Sequence, residues 1–309
     1  DIILKIDETS TINMTLDETV NLMRGKPKTD IVLTIVRKGE PKPLEIKMTR
    51  EIIKIQSVFS KTIENENILY LRVASFDANV TEDLEKIIKA NADKKGFILD
   101  LRNNPGGLLS QAIGVVDLFV DKGIIVSQKG RTAEDEEKFE ASSSNTRTKL
   151  PLVVLVNEGS ASASEIVSGS LQDHKRAIII GQKTFGKGSV QAVLPIDNER
   201  TENIKLTIAK YYLPSGRTIQ AVGVTPDVVT NAGKVTQLED NGFKIKEADL
   251  KKHLEGELEK VADVKKEDKI VEDENKKVIT SEDILGDNQL NTSIAILKSL
   301  IIMNKWFLK

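Results

Sequence analysis

Three short stretches hold the residues best suited to chemistry. "NEGSASASEIVSG" (157–169) follows an apolar run and sets Ser162 at the mouth of a predicted helix. Amides and the positive end of the helix dipole could stabilise an oxyanion there. The same residues, Ser162 to Glu165, also fit a capping box, which does no more than start a helix. From these residues alone both readings stay open. "GQKTFGKGSVQ" (181–191) begins like a phosphate-binding loop. Gly188, however, stands where that loop needs Ser or Thr, and "SVQAVLPI" then alternates like a strand instead of opening a helix, so nucleotide binding is not expected. "DLRNNPGG" (100–107) ends in Gly106 and Gly107, whose amides could serve an oxyanion or simply lead into a helix.

A nucleophilic serine needs a base. The chain has two histidines, His174 and His253. His174 lies about 18 Å along the predicted helix from Ser162 at ~1.5 Å per residue. His253 sits among charges, so a Ser–His–Asp arrangement and histidine-rich metal sites are both unexpected. Lys187 is the remaining candidate, because burial that depresses an ammonium's pKa turns it into a base. Glycines flank it and no acidic residue is near it in sequence. Gln191 lies four positions on, an even offset that puts both side chains on one face of an extended segment. Other lysines, such as Lys251, Lys265 and Lys266, read as solvated surface. Cysteine is absent, which excludes thiol catalysis, disulfides and thiolate metal sites and suits an oxidising, extracytoplasmic compartment.

The elements that would position these residues can be read from periodicity. Of the 309 residues, 39% are hydrophobic and 30% charged, with a formal net charge of -2, which fits a globular protein and does not favour nucleic-acid binding. Residues 1–50 read as strand, helix and a two-stranded hairpin. From about residue 66 strands alternate with helices, including continuous apolar runs at "GFILDL" and "LPLVVLVN", and this argues an α/β core. Thr81 is placed to cap the helix "VTEDLEKIIKANAD". The polar stretch 130–149 is either an irregular hairpin or a flap. Beyond residue 235 the chain is rich in Lys and Glu. It closes on an amphipathic helix, "QLNTSIAILKSLIIMNKWFL", that would dock on its own domain or on another subunit. The divisions expected are 1–50, 51–235 and 236–309. The chain opens without Met or a signal-like segment, as a processed or truncated product would.

Taken together, "DLRNNPGGLL", "VNEGSASASEIVSG", "GQKTFGKGSVQ" and "YYLPSGRTIQAVGVTPD" closely resemble the carboxy-terminal processing peptidases, or tail-specific proteases, over about residues 60–230. The resemblance implies a serine endopeptidase with a Ser–Lys dyad on a crotonase-like α/β (α+β) core. It implies Ser162 as nucleophile, Lys187 as general base and Gln191 as the residue that positions the lysine. The oxyanion donors it implies are the amide of Ala163 and that of Gly107, with Gly106 the alternative. Residues 1–50 resemble the second half of the PDZ domain of these enzymes, which binds a substrate's free C-terminus; its first half, with the carboxylate-binding loop, is absent. The charged C-terminal region carries no residue-by-residue resemblance, although some relatives use such a segment in dimer formation. The activity implied is metal-free and nucleotide-free cleavage of proteins with apolar C-termini in a bacterial periplasm or cell envelope. The alternative is a scaffold that captures C-termini without turnover.

Overall fold

The computed structural model describes residues 1–52, 56–132, 135–196, 203–235 and 278–307, in two compact units, Asp1–Gln56 and Ser57–Lys309. The first unit is a four-stranded antiparallel sheet with one helix. Its elements are β1 (Ile2–Ile6), β2 (Thr9–Ser10), α1 (Leu16–Met23), β3 (Asp30–Val36) and β4 (Leu44–Thr49), in sheet order β2-β1-β3-β4. Thr15 caps α1: the Glu18 carboxylate accepts the Thr15 N–H at 2.7 Å, and the Thr15 hydroxyl accepts the Glu18 N–H at 3.2 Å. Ile6, Ile31 and Ile35 are its buried apolar residues among those described, and α1 buries none. Its core is therefore thin.

The second unit opens with β5 (Val58–Ile63), β6 (Ile68–Val73), α2 (Val80–Ala90), β7 (Gly96–Asp100) and α3 (Leu109–Asp117). It continues through β8 (Lys122–Lys129), β9 (Glu136–Ser142), β10 (Leu152–Val156), α4 (Ala163–Asp173), β11 (Ile178–Gly181), β12 (Ser189–Pro195) and β13 (Asn203–Tyr212). The remainder is β14 (Val228–Val229), β15 (Val278–Ile279), α5 (Ser281–Gly286) and α6 (Asn288–Phe307). Seven strands form the central sheet, in order β14-β11-β10-β7-β6-β5-β15. All its pairings are parallel except β5 with β6. A smaller antiparallel sheet runs β12-β13-β8-β9.

Every residue of β7 and β10 is buried, as their uninterrupted apolar runs require. Alternate side chains serve opposite faces. Phe97, Leu99, Val154 and Val156 pack with Leu84, Val115, Ile166 and Leu171 from α2, α3 and α4. Ile98, Val153 and Leu155 pack with Leu290, Ile294 and Leu297 of α6 on the other face. The final amphipathic helix thus docks on its own domain. Gly96 permits the close approach: a Cβ there would lie 3.0 Å from Leu297 Cδ1.

One local expectation changes, and one open alternative is decided. Thr81 does not cap α2; Asn79 holds the N-cap position, and the Thr81 N–H donates to Gln111 Oε1 at 2.9 Å. A long-range acceptor has replaced the local cap. The stretch after residue 130 contains β9, which pairs antiparallel with β8, so it is a hairpin. His253, Lys251, Lys265 and Lys266 lie outside the described residues, with the rest of 236–277.

Candidate active site

β10 and β7 run side by side in parallel, so the turns after them emerge at the same edge of the sheet. Those turns are "NEGSAS" (157–162) and "RNNPGG" (102–107), and paired asparagines bind them together. Asn157 Oδ1 accepts the Asn103 N–H at 2.8 Å, and Asn157 Nδ2 donates to Asn103 Oδ1 at 2.9 Å. Buried Asn104 adds three links. Its Nδ2 donates to Val73 O at 2.8 Å, its Oδ1 accepts the Gly106 N–H at 2.9 Å, and its carbonyl accepts the Ala161 N–H at 3.0 Å.

The three serines of the small-residue run differ in what their hydroxyls do. Ser160 Oγ donates to Leu101 O at 2.7 Å and Ser164 Oγ to Asn104 O at 2.9 Å; both side chains are fully buried. Ser162 is half-buried and has φ 54°, ψ −111°, a left-handed conformation that a non-glycine residue adopts only under constraint. It is the N-cap of α4. Its side chain faces the Glu165 amide across a capping box, while that amide donates to the Ser162 carbonyl at 2.9 Å. The capping reading and the nucleophile reading are therefore compatible: Ser162 starts the helix and presents a hydroxyl at its mouth.

Gly106 packs against this residue, since a Cβ there would lie 2.8 Å from Ser162 Cβ and 3.0 Å from Ala163 N. Gly107 sits in a single bridge with Phe76. The Phe76 N–H donates to Gly106 O at 2.9 Å, and the Leu108 N–H donates to Phe76 O at 2.8 Å. In such pairing the amide of the residue between points to the opposite side. The Gly107 N–H has no hydrogen-bond partner among the described residues, nor has that of Ala163, the first residue of α4. The Gly106 N–H is already taken by Asn104.

Lys187 reaches the same place through Glu165. This carboxylate is fully buried and accepts four hydrogen bonds. Oε1 accepts the Thr184 hydroxyl and the Gly186 N–H, both at 2.6 Å; Oε2 accepts the Lys187 N–H at 2.8 Å and the Ser162 N–H at 2.9 Å. One side chain thus ties the backbone of the serine turn to that of the lysine loop. An acid is therefore close to Lys187 in space although none is near in sequence. Its roughly four acceptor sites are all filled by other donors. The Lys187 side chain is half-buried and makes no hydrogen bond or ion pair among the described residues. Gln191 is exposed on β12, where the pairing with β13 slips by one residue between Val190 and Gln191. No hydrogen bond among the described residues joins it to Lys187. His174 caps the far end of α4 and contacts Ile124 O at 2.8 Å, well away from Ser162.

Thr184, Asn104 and Asn157 are the site residues that sequence reasoning does not single out, and Glu165 enters it only as a capping-box partner. The Ser162–Glu165 spacing is a visible signal, but its local meaning conceals the link to residues 184–187.

Below this site lies a charged cluster. Arg102 makes three contacts of 2.6–3.1 Å with buried Asp100 and donates to Asp287 Oδ1 at 3.0 Å, while the Tyr70 hydroxyl donates to Asp100 Oδ2 at 2.7 Å. Burial pulls the Arg102 guanidinium down, but Asp100 and Asp287 outweigh it and hold its pKa above the ordinary value. Burial, with Asp100 beside it, pushes the Tyr70 phenol up.

The family profile described as Peptidase family S41 matches residues 67–230, and the chain belongs to that family. It is 45% identical over 265 residues to the "Carboxy-terminal-processing protease" of Bartonella bacilliformis, covering 84% of this chain and 60% of that protein. It is 37% identical over 230 residues to "Carboxy-terminal processing protease CtpA" of Bacillus subtilis, covering 74% of this chain and 48% of that one. Among solved structures, the "Photosystem II D1 C-terminal processing protease" matches with a TM-score of 0.52 at 30% identity, over 74% of this chain and 62% of its own. A putative S41 protease from Bacteroides fragilis shares the fold, with a TM-score of 0.51 at 18% identity. The chain thus spans about half to three-fifths of the length of these curated relatives.

Proposed function

We propose that this chain carries the catalytic part of a serine endopeptidase that cleaves proteins at or near their C-terminus. Lys187 accepts the proton of Ser162 Oγ as the oxygen attacks a peptide carbonyl. The Ala163 and Gly107 amides hold the resulting oxyanion, and the protonated lysine returns the proton to the departing amine. Water, deprotonated by the same lysine, then releases the acyl group and restores the serine. Gln191 is the residue we infer to orient the lysine amine. The observation that carries this reading is the Glu165 carboxylate, which fastens the Ser162 and Lys187 turns to each other beside two amides without partners among the described residues.

The names of the relatives support processing of C-termini, and an apolar terminal segment is the substrate we infer. Residues 1–50 are read as the second half of a PDZ domain, and the C-terminal region as a dimerisation element, which light scattering of the purified protein would test. The setting is outside the cytoplasm, in a periplasm or cell envelope, and cell fractionation would test it.

The deciding experiment incubates an unfolded protein with the parent, Ser162→Ala and Lys187→Ala and identifies products by mass spectrometry. Cleavage by the parent and none by either variant is expected. Equal cleavage by all three would refute the dyad. Capture of C-terminal peptides with no product from any of them would favour the scaffold.

A further inference from the structure

A cavity of about 780 Å³ in the second unit lies away from Ser162. It opens beyond the C-terminal end of α4, where β10 and β11 begin, and eleven helical residues, about 16 Å at ~1.5 Å per residue, separate it from the serine. Its volume falls within the roughly 300–1,000 Å³ of small-ligand pockets. Phe119, Leu152, Ile178, Leu300 and Met303 give it an apolar floor.

Its charges are unbalanced. Lys122, Lys149, Lys175 and Arg176 line it against two carboxylates, Asp121 and Asp227. Asp121 is paired with Lys149 at 2.7 Å. Asp227 accepts from Gln172 Nε2 and the Ile179 N–H, both at 2.8 Å. Lys122 and Lys175 are exposed and have no ion pair among the described residues. The Arg176 guanidinium lies over the Phe119 ring at 5.8 Å and hydrogen-bonds to carbonyls: Nε donates to Phe119 O at 2.8 Å, and one terminal nitrogen donates to Leu150 O at 2.9 Å and Thr148 O at 3.0 Å. Its other terminal nitrogen has no partner among the described residues. Burial, only partly offset by Asp121, lowers the Arg176 pKa to about 10, so it stays cationic at neutral pH. Asp121 acts on this cation only at a distance, its ion pair being with Lys149, so a desolvated guanidinium is left that an anion would complete.

We propose that this cavity is an exosite for the free terminal carboxylate of an apolar peptide tail, with Arg176, Lys122 and Lys175 receiving the carboxylate and the floor taking the apolar side chains. The remaining terminal nitrogen of Arg176 can donate to a carboxylate oxygen in a charge-assisted hydrogen bond, and carboxylate capture is a recurring mode of tail recognition. The identity of the ligand, though not the anion site itself, rests on the peptidase reading. Such a site holds a substrate's end while chain upstream of it lies at Ser162.

The test titrates the Ser162→Ala protein, by calorimetry, with a short apolar peptide ending in a free carboxylate and with its C-terminal amide. The free acid is expected to bind at least about tenfold more tightly than the amide, the discrimination one charge-assisted contact allows. The double variant Lys122→Glu/Lys175→Glu, whose exposed side chains leave the melting temperature unchanged, is expected to lose that preference. Equal binding of acid and amide, or an unaltered preference in the double variant, overturns the proposal. So does binding of anionic phospholipid vesicles, or of inorganic phosphate, in place of the peptide. Because binding is read without turnover, tail binding by a protein whose Ser162 form cuts nothing would refute the peptidase reading alone.

Discussion

Ser160, Ser162 and Ser164 share one side-chain chemistry but not one task. The outer two donate to carbonyls of the neighbouring turn, so Ser160→Ala or Ser164→Ala is expected to cost about 1 kcal/mol, the net worth of a hydrogen bond. Both should keep labelling by a serine-directed phosphonate, which Ser162→Ala should lose. Glu165→Gln puts an amide donor against backbone N–H groups. It should destabilise the protein by about 1–3 kcal/mol per orphaned donor and lower kcat well beyond that, with KM little changed. An unaltered kcat would mean that the shared carboxylate does not align the site. Gly107→Ala drives a Cβ to 2.2 Å from Phe76 O at φ 149°; loss of soluble, active protein is expected, assayed by yield and hydrolysis.

Among the elements, local signals are readable and long-range ones are not. The β7 and β10 runs, the alternation of strands and helices and the amphipathic face of α6 are all legible, because each is written in local hydrophobic periodicity. The α2 cap is not, because Gln111, thirty residues on, supplies the acceptor for the Thr81 amide. The role of Glu165 is hidden for the same reason: its partners Thr184, Gly186 and Lys187 meet it only after β11 has joined the sheet. Gly106 and Gly107 are legible as a pair, but the choice between their amides depends on Asn104 and Phe76. Leu297→Ala empties a fully buried position between α6 and the sheet and should cost about 2–5 kcal/mol, read by urea denaturation. A cost below that range would mean that α6 contributes less to the core than its burial indicates.

At the scale of the whole molecule, the two units differ in their capacity to stand alone. The first has fifty-six residues, with three buried isoleucines among those described and a helix that buries no residue. The second has two large apolar clusters on opposite faces of one sheet. Burial per residue therefore favours the second, and scanning calorimetry should show a weak early transition for Asp1–Gln56 before the main one. A single transition that includes both would overturn that expectation.

The buried carboxylate at Glu165 has a consequence for how such a protein is switched off. Separating the serine turn from the lysine loop strips it of donors in a place water scarcely reaches, so small excursions are penalised and rest or readiness becomes a near-binary choice. The amides of Gly186 and Lys187 then act as built-in reporters: their rate of deuterium uptake measures how often the latch is undone, with no substrate present.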